Sequence, residues 1–178
     1  MVAAQIFLTG FVLLSAFDIF YFHLWKERLT SSAKHLHETR LHAWGNGITA
    51  ALALCLAWLE WHGWTILLPL GLIAWESALG ILDYLEEKRS RPVKFLEKAA
   101  HWCMLLLHTG FLFCAAPSAW DWWQKSSHTV VSPGTLSISL TLSALLLLGG
   151  AISESRVSGA FRSRRRLLKT SEGRRALR

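Results

Sequence analysis

EKAAHWCMLLLHTGFLFCAA, residues 97–116, contains the features that decide the fold: a long apolar run that begins with a carboxylate and, four residues later, an imidazole. A second stretch, ETRLHAWGNGITAALALCLAW at residues 38–58, begins in the same way. An apolar run of about 20 residues predicts a helix that crosses a bilayer. Residues four apart share one face of a helix, so each carboxylate can act together with its imidazole. Ionisable groups in such helices usually mark a functional site.

The apolar content of the chain predicts an all-α polytopic integral membrane protein. Hydrophobic residues make up 52% of the 178 residues, and they are concentrated in long blocks. The five predicted transmembrane helices cover residues 3–25, 41–61, 64–85, 98–116 and 135–153. We expect the first to be retained rather than cleaved, because no basic segment precedes it. Helices 1–4 are predicted to form an up-down bundle, and the fifth, without ionisable residues, to pack outside the site.

The basic residues predict the orientation in the membrane. All 19 Lys and Arg except Lys125 lie in the segments 26–40, 86–98 and 156–178. With five spans these segments share one side, which the positive-inside rule makes cytoplasmic. The N-terminus is then outside and the C-terminus inside, in what we predict to be a bacterial inner membrane. Six tryptophans are expected to form the outer aromatic belt: Trp58, Trp61, Trp64, Trp120, Trp122 and Trp123.

Two units are predicted: a transmembrane helical domain at 1–155, and a basic cytoplasmic tail at 156–178 that is disordered. The net charge of the chain is +7, and the segment from Glu154 onwards accounts for it. We expect this tail to bind anionic lipid headgroups of the bilayer. A nucleic-acid partner is not predicted, because nothing else in the chain supports one. The three cysteines form no CxxC pair, so neither a zinc ribbon nor a disulfide is indicated.

Helix face and depth select nine candidate metal ligands. They are Asp18, His23, Glu38, His42, Glu76, Asp83, Glu97, His101 and His108. Three of them, Asp18, Glu76 and His108, lie roughly 10–16 Å deeper than the others, from the helical rise. Because an ionisable group at that depth must be neutral, paired or ligating, Glu76 is expected to contact a metal or His108. Glu87 is interpreted instead as a solvated helix end.

Asp18 and His23 are the weakest part of this arrangement. They are five residues apart, which places them about 140° apart around an α-helix. The helix must therefore be distorted if both side chains are to point into the same site.

Mixed imidazole and carboxylate ligands suit iron, manganese or zinc, and the number of carboxylates favours iron. The candidates suffice for two divalent ions, and soluble di-metal carboxylate bundles use a similar set of ligands. We therefore predict a metalloenzyme whose site opens at the cytoplasmic face and acts on an apolar or lipid-like substrate. The ions would activate oxygen for an oxidation, or water for a hydrolysis.

Three other functions fit the same residues. A proton- or ion-coupled transporter would use Glu97, His101 and His108 as a relay. A b-type haem protein would use His42 with His101 or His108 as axial ligands. A non-catalytic assembly subunit would only bond its polar residues to one another. The chain contains no Ser-His-Asp signature and no Gly-rich phosphate loop, so serine hydrolases and kinases are not indicated.

Overall fold

The computed structural model describes residues 1–26 and 35–176, with side chains through Arg156 and at Ala160. The basic residues Arg28 and Lys34 lie outside the described residues, as do the side chains of the tail from residue 161 onwards. The described chain is mostly helical. Its elements are α1 Val2–Phe17, a π-helix Asp18–Lys26, α2 Leu36–Trp58, β1 Leu59–His62, a 3-10 turn Gly63–Ile66, α3 Leu67–Ser90, α4 Phe95–Trp123, β2 His128–Val131 and α5 Ser137–Ala176.

Four stretches of the described chain are long and apolar enough to cross a membrane. They are Val2–Lys26, Gly63–Ser90, Phe95–Trp123 and Ser137–Arg156. The predicted helical, membrane-type architecture is confirmed to this extent. The remaining predicted span, 41–61, corresponds to α2, which does not belong to this set. Polar residues such as His42 and Asn46 lower its mean hydropathy.

α2 tolerates this composition because other helices cover it. It packs against α5 on one side and against α3 on the other. Ala50, Ala53 and Ala57 are completely buried, and small side chains allow helices to approach closely. At the end of this contact the Ser137 hydroxyl donates a hydrogen bond to the carbonyl of Ala57.

α5 is a central helix, and our prediction that it packs outside the site is wrong. Besides α2 it contacts α1 and the π-helix, where a side chain at Gly150 would collide with Ile19. Glu154, one residue beyond the predicted span, is completely buried. α5 also continues to Ala176, through the tail for which the sequence predicts disorder. The leucine, lysine and arginine residues of that tail are all good helix formers.

α3 and α4 are the outer helices of the bundle. α3 packs on α2, and α4 packs on α1. Their large apolar side chains are widely exposed, among them Trp75 on α3 and Phe113 on α4. Such surfaces match the hydrocarbon of a bilayer.

A small two-stranded sheet covers one end of the bundle. β1 and β2 pair antiparallel, with Leu59 opposite Val131 and His62 opposite His128. Gly63 follows β1 with φ of +55°, and a Cβ there would lie 2.8 Å from the Lys125 carbonyl oxygen. The predicted spans 41–61 and 64–85 leave only residues 62 and 63 between them, so the sequence implies a turn at this point but not the strands. We call this end the hairpin end, and the opposite end, where Arg91 connects α3 to α4, the Arg91 end.

Candidate metal centre

The π-helix supplies the distortion that Asp18 and His23 require. A π-helix has i→i+5 hydrogen bonds and a wider turn than an α-helix, so residues five apart come close to one face. Nε2 of His23 accordingly lies 3.5 Å from Oδ2 of Asp18. Short π-helical segments often occur at functional sites.

Asp18 is the centre of the cluster. Its side chain is completely buried, and imidazole Nε2 atoms approach it from three helical elements. His42 of α2 lies 3.2 Å from Oδ2, on the same side as His23, whereas His101 of α4 lies 3.4 Å from Oδ1. Neither carboxylate oxygen forms a hydrogen bond of ordinary geometry within the described chain. Thus the two oxygens face different groups of imidazoles.

The other nitrogen of each imidazole contacts a second carboxylate. Nδ1 of His23 lies 2.9 Å from Oε1 of Glu154, and Nδ1 of His42 lies 3.1 Å from Oε2 of the same residue. Nδ1 of His101 lies 3.4 Å from Oε2 of Glu87. An ionised carboxylate only accepts hydrogen bonds, so these contacts favour a hydrogen on each Nδ1. A neutral imidazole then directs the Nε2 lone pair at Asp18.

That arrangement requires a cation at Asp18. An Nε2 lone pair that faces a carboxylate oxygen at 3.2–3.5 Å is repelled unless a proton or a metal ion lies between the two. Among the described contacts, the network around Asp18 and Arg91 contains the four carboxylates of Asp18, Glu38, Glu87 and Glu97 and one guanidinium, that of Arg91. Buried negative charge in this excess is stable only when it is paired or coordinates a metal.

The Arg91 side chain connects α2, α3 and α4 at the Arg91 end of the bundle. Its Nε donates to Oε1 of Glu38 at 3.0 Å, and Nη2 donates to Oε1 of Glu87 at 2.9 Å. Nη1 and Nη2 bind the two oxygens of Glu97 in a bidentate pair. Burial opposes the charge, but the hydrogen bonds and Coulombic attraction of Glu97 and Glu38 outweigh it and raise the pKa of Arg91 above its usual range.

In each predicted Glu-x3-His pair, the glutamate and the histidine therefore contact different residues. Glu38 and Glu97 contact the Arg91 guanidinium, while His42 and His101, one turn further along, reach Asp18. Glu97 is also close enough to act as a metal ligand beside Asp18 and His101. One possible ligand atom from each of these three residues lies within 4.8 Å of the other two. The ligand roles of the two glutamates remain predictions.

Sequence reasoning misplaced one residue and missed two. Glu87 is not a solvated helix end: it is buried between Arg91 and His101, because the guanidinium folds back along α3. Arg91 was only part of a basic loop in the sequence, although its spacing from Glu87 is four residues. Glu154 was missed because it lies just past the apolar run of the fifth helix.

Asp18 does not lie in the predicted deep layer, because it contacts His23, His42 and His101, which were predicted to lie nearer the surface. The other two deep residues, Glu76 and His108, form a separate pair. Oε2 of Glu76 lies 3.3 Å from Nε2 of His108, which is within the predicted reach, but neither atom forms a hydrogen bond of ordinary geometry among the described residues. The His108 ring packs against Phe11 and Phe111, with ring centroids 5.1 and 6.2 Å apart. Asp83 is also placed inward, and its Oδ1 is buried without a hydrogen-bond partner among the described residues.

The fold and the cluster define a helical protein of the membrane type with a buried centre of histidines and carboxylates. No protein-family model, no curated protein and no solved structure matches the chain. Its functional interpretation therefore rests on the geometry of this centre.

Proposed function

We propose that the protein is a membrane-embedded metalloenzyme whose metal centre is built around Asp18. One observation carries the proposal: three imidazole Nε2 atoms converge on one buried carboxylate while carboxylates hold their Nδ1 atoms. Metal-binding histidines typically donate the second ring N–H to a carboxylate in this way, which fixes the tautomer and orients the ring.

The distances between the donor atoms suit a metal ion. Four donors at about 2.0–2.1 Å from a tetrahedral ion lie about 3.3–3.4 Å from one another. The Nε2 atoms of His23, His42 and His101 lie 3.2–3.5 Å from the oxygens of Asp18. Nitrogen and oxygen donors together suit iron, manganese or zinc, and the preponderance of carboxylates favours iron.

Asp18 can serve two ions at once. The ligand atoms of Asp18, His23 and His42 lie within 4.8 Å of one another, and so do those of Asp18, Glu97 and His101. Oδ2 faces His23 and His42 and Oδ1 faces His101, so Asp18 would be available as a ligand to an ion held by either group. Bundled helices with inward glutamates and histidines hold two iron or manganese ions in this manner. A carboxylate oxygen has two lone pairs, so Glu97 can bind an ion and Arg91 together.

The bound ions would activate oxygen or water, and the protein residues would prepare the site. Glu154 and Glu87 keep a proton on each Nδ1 and leave Nε2 free for the ion. Arg91 offsets part of the negative charge without entering the centre. We expect the substrate to be apolar or lipid-like, because the centre lies between helices whose outer surfaces suit a bilayer.

The proposed membrane arrangement has five spans, with α2 as the covered central span. The Arg91 end contains the basic segment 86–98 and would face the cytoplasm, and the hairpin end would lie outside. This places the metal centre near the cytoplasmic face of a bacterial inner membrane. The tail would lie on anionic lipid headgroups.

A proton- or ion-coupled transporter is the second candidate function, and the Glu76–His108 pair favours it. This pair continues the line of ionisable groups from His101 towards the middle of the bundle. The haem alternative is disfavoured, because the Asp18 carboxylate lies between the Nε2 atoms of His42 and His101, where a porphyrin would have to fit.

Metal analysis of purified protein and its histidine variants tests the proposal. We expect one or two iron, manganese or zinc ions per chain, and His42→Ala and His101→Ala should each lose metal. His62→Ala and His128→Ala are matched controls at the hairpin end and should keep it. Full metal content in both inner variants would refute the proposed centre, and a sharp Soret band would indicate haem instead.

Glu154→Gln tests the carboxylates that orient the imidazoles. We expect metal affinity to fall about 10–100-fold, since an amide cannot replace the charge of a carboxylate behind His23 and His42. Isothermal titration with the metal measures this. Glu86→Gln is the control, because Glu86 contacts only the exposed His37 among its described ion pairs and its variant should bind normally. Equal affinity in both variants would remove Glu154 from the site.

Cysteine accessibility tests the proposed orientation. In a variant without native cysteines, Lys125→Cys should react with a membrane-impermeant maleimide in intact cells, whereas Arg165→Cys should be protected. The expectation follows from the distribution of the basic residues. The reverse labelling pattern would place the metal centre at the opposite membrane face.

A further inference from the structure

An apolar cavity lies between α3 and α4 in the half of the bundle nearer the hairpin end. Its volume is about 520 Å³, which is within the range of small-molecule sites. Leu70 and Ile73 of α3 line one wall, and Phe111, Ala115 and Ala119 of α4 line the other. The cavity exists because α3 rests on α2 and α4 rests on α1, and the small alanines leave room between them.

The two ends of the cavity differ in chemistry. At the hairpin end it is lined by Trp120, Trp122 and Trp123, whose indole rings suit the level of lipid headgroups. At the other end, one helical turn beyond Ile73 and Phe111, the Glu76–His108 pair crosses from α3 to α4. The cavity is thus an apolar pocket that runs from an aromatic rim to an ionisable pair.

The volume fits a hydrocarbon chain better than a helix. From Phe111 to Trp123 the cavity wall is about 18 Å long at 1.5 Å per residue. A helix about 10 Å across would need roughly 1,400 Å³ over that length. One hydrocarbon chain, about 4–5 Å across from carbon contact distances, needs roughly 200–400 Å³. Water is a poorer occupant, because an ordered water needs several polar partners and the lining is almost wholly apolar below the tryptophans.

We propose that the α3–α4 cavity binds one acyl chain of a membrane phospholipid, with the headgroup at the tryptophan rim. Both walls belong to helices that are long and apolar enough to cross a membrane. The open side of the cavity would therefore face the lipid of the bilayer. The acyl chain ends above the Glu76–His108 pair, which stops it from reaching the metal centre. This binding is a separate property, independent of whether the Asp18 cluster holds metal.

Photocrosslinking in liposomes tests the proposal. The full chain is reconstituted with a phospholipid that carries a diazirine on one acyl chain, and labelled peptides are mapped by mass spectrometry. We expect labels to concentrate on the cavity walls around 70–73 and 111–123. Ala115→Trp fills the cavity and should reduce this labelling at least fivefold. Phe113→Trp adds bulk on the exposed face of the same helix and should leave it unchanged.

A second cavity variant and a measurement of metal content ensure that every result either supports or contradicts lipid binding. Ala119→Leu fills the cavity more gently and replaces Ala115→Trp if the latter does not fold, as judged by its thermal unfolding. Metal content is also determined in the wild type, so wild-type protein that is labelled on the cavity walls but contains no metal would count against the metal centre alone. Labels spread evenly over the exposed faces of α3 and α4, undiminished labelling after filling, or crosslinks between two chains would overturn the proposal.

Discussion

Asp18→Asn is expected to abolish metal binding while the helical fold persists. The side chain stays the same size, but the carboxylate that faces all three imidazoles becomes a neutral amide. Replacing carboxylates behind the ligands already costs about 10–100-fold in affinity, so loss of the shared ligand should exceed 100-fold. Both proposed ions should be lost together. Metal content after gel filtration, and direct metal titration, measure the effect.

Asp121→Asn is the matched control for this variant, because Asp121 is exposed at the hairpin end of α4. It should bind metal like the wild type. The stability of the metal-free protein separates a metal centre from a salt-bridge cluster. If Asp18 only paired with protonated histidines, Asp18→Asn would destabilise the protein without changing its metal content, and that result would contradict the proposed centre.

Arg91→Met should destabilise the protein by about 3–5 kcal/mol near neutral pH. Removal of one partner from a buried ion pair leaves the other charges uncompensated, and here Glu38, Glu87 and Glu97 all lose the same cation. The difference from the wild type should shrink as the pH falls, because protonated carboxyl groups no longer need a cation. Thermal and denaturant unfolding in detergent at several pH values measure both effects.

Two control variants separate the effect of the Arg91 contacts from the effect of losing one positive charge. Arg89→Met removes a charge from an exposed position two residues away and should change stability by less than about 0.5 kcal/mol. Arg91→Lys keeps the charge but not the planar fork, so it should recover only part of the stability. Equal stability of Arg91→Met and Arg89→Met would show that the three glutamates do not depend on this guanidinium.

The helical architecture and the inner members of the site were accessible from sequence because both depend on local patterns. Apolar runs predict spans by length alone, and Glu-x3-His places two side chains on one face without knowledge of the fold. Asp18 could be selected because a carboxylate in an apolar run is costly. Each of these inferences needs only residues on the same helix.

The missing parts depend on contacts between distant segments. Glu154 and His23 are 131 positions apart, and no periodicity connects them. Arg91 looks like one of several basic loop residues until three helices bring their glutamates to it. The π-helix was implied only by the mismatch between Asp18 and His23, and local sequence does not reveal which geometry resolves that mismatch. The polar contribution of α5 was missed for the same reason.

The position of Glu154 has a consequence for the biosynthesis of the protein. Asp18, His23 and His42 belong to the first part of the chain that leaves the ribosome, whereas Glu154 belongs to the last helix. Until that helix joins the others, His23 and His42 lack the Glu154 carboxylate behind their Nδ1 atoms. The proposed centre can therefore be complete only after the whole helical domain has been synthesised. If the proposed centre binds metal, we expect a nascent chain that stops before α5 to bind it more weakly than the complete helical domain does.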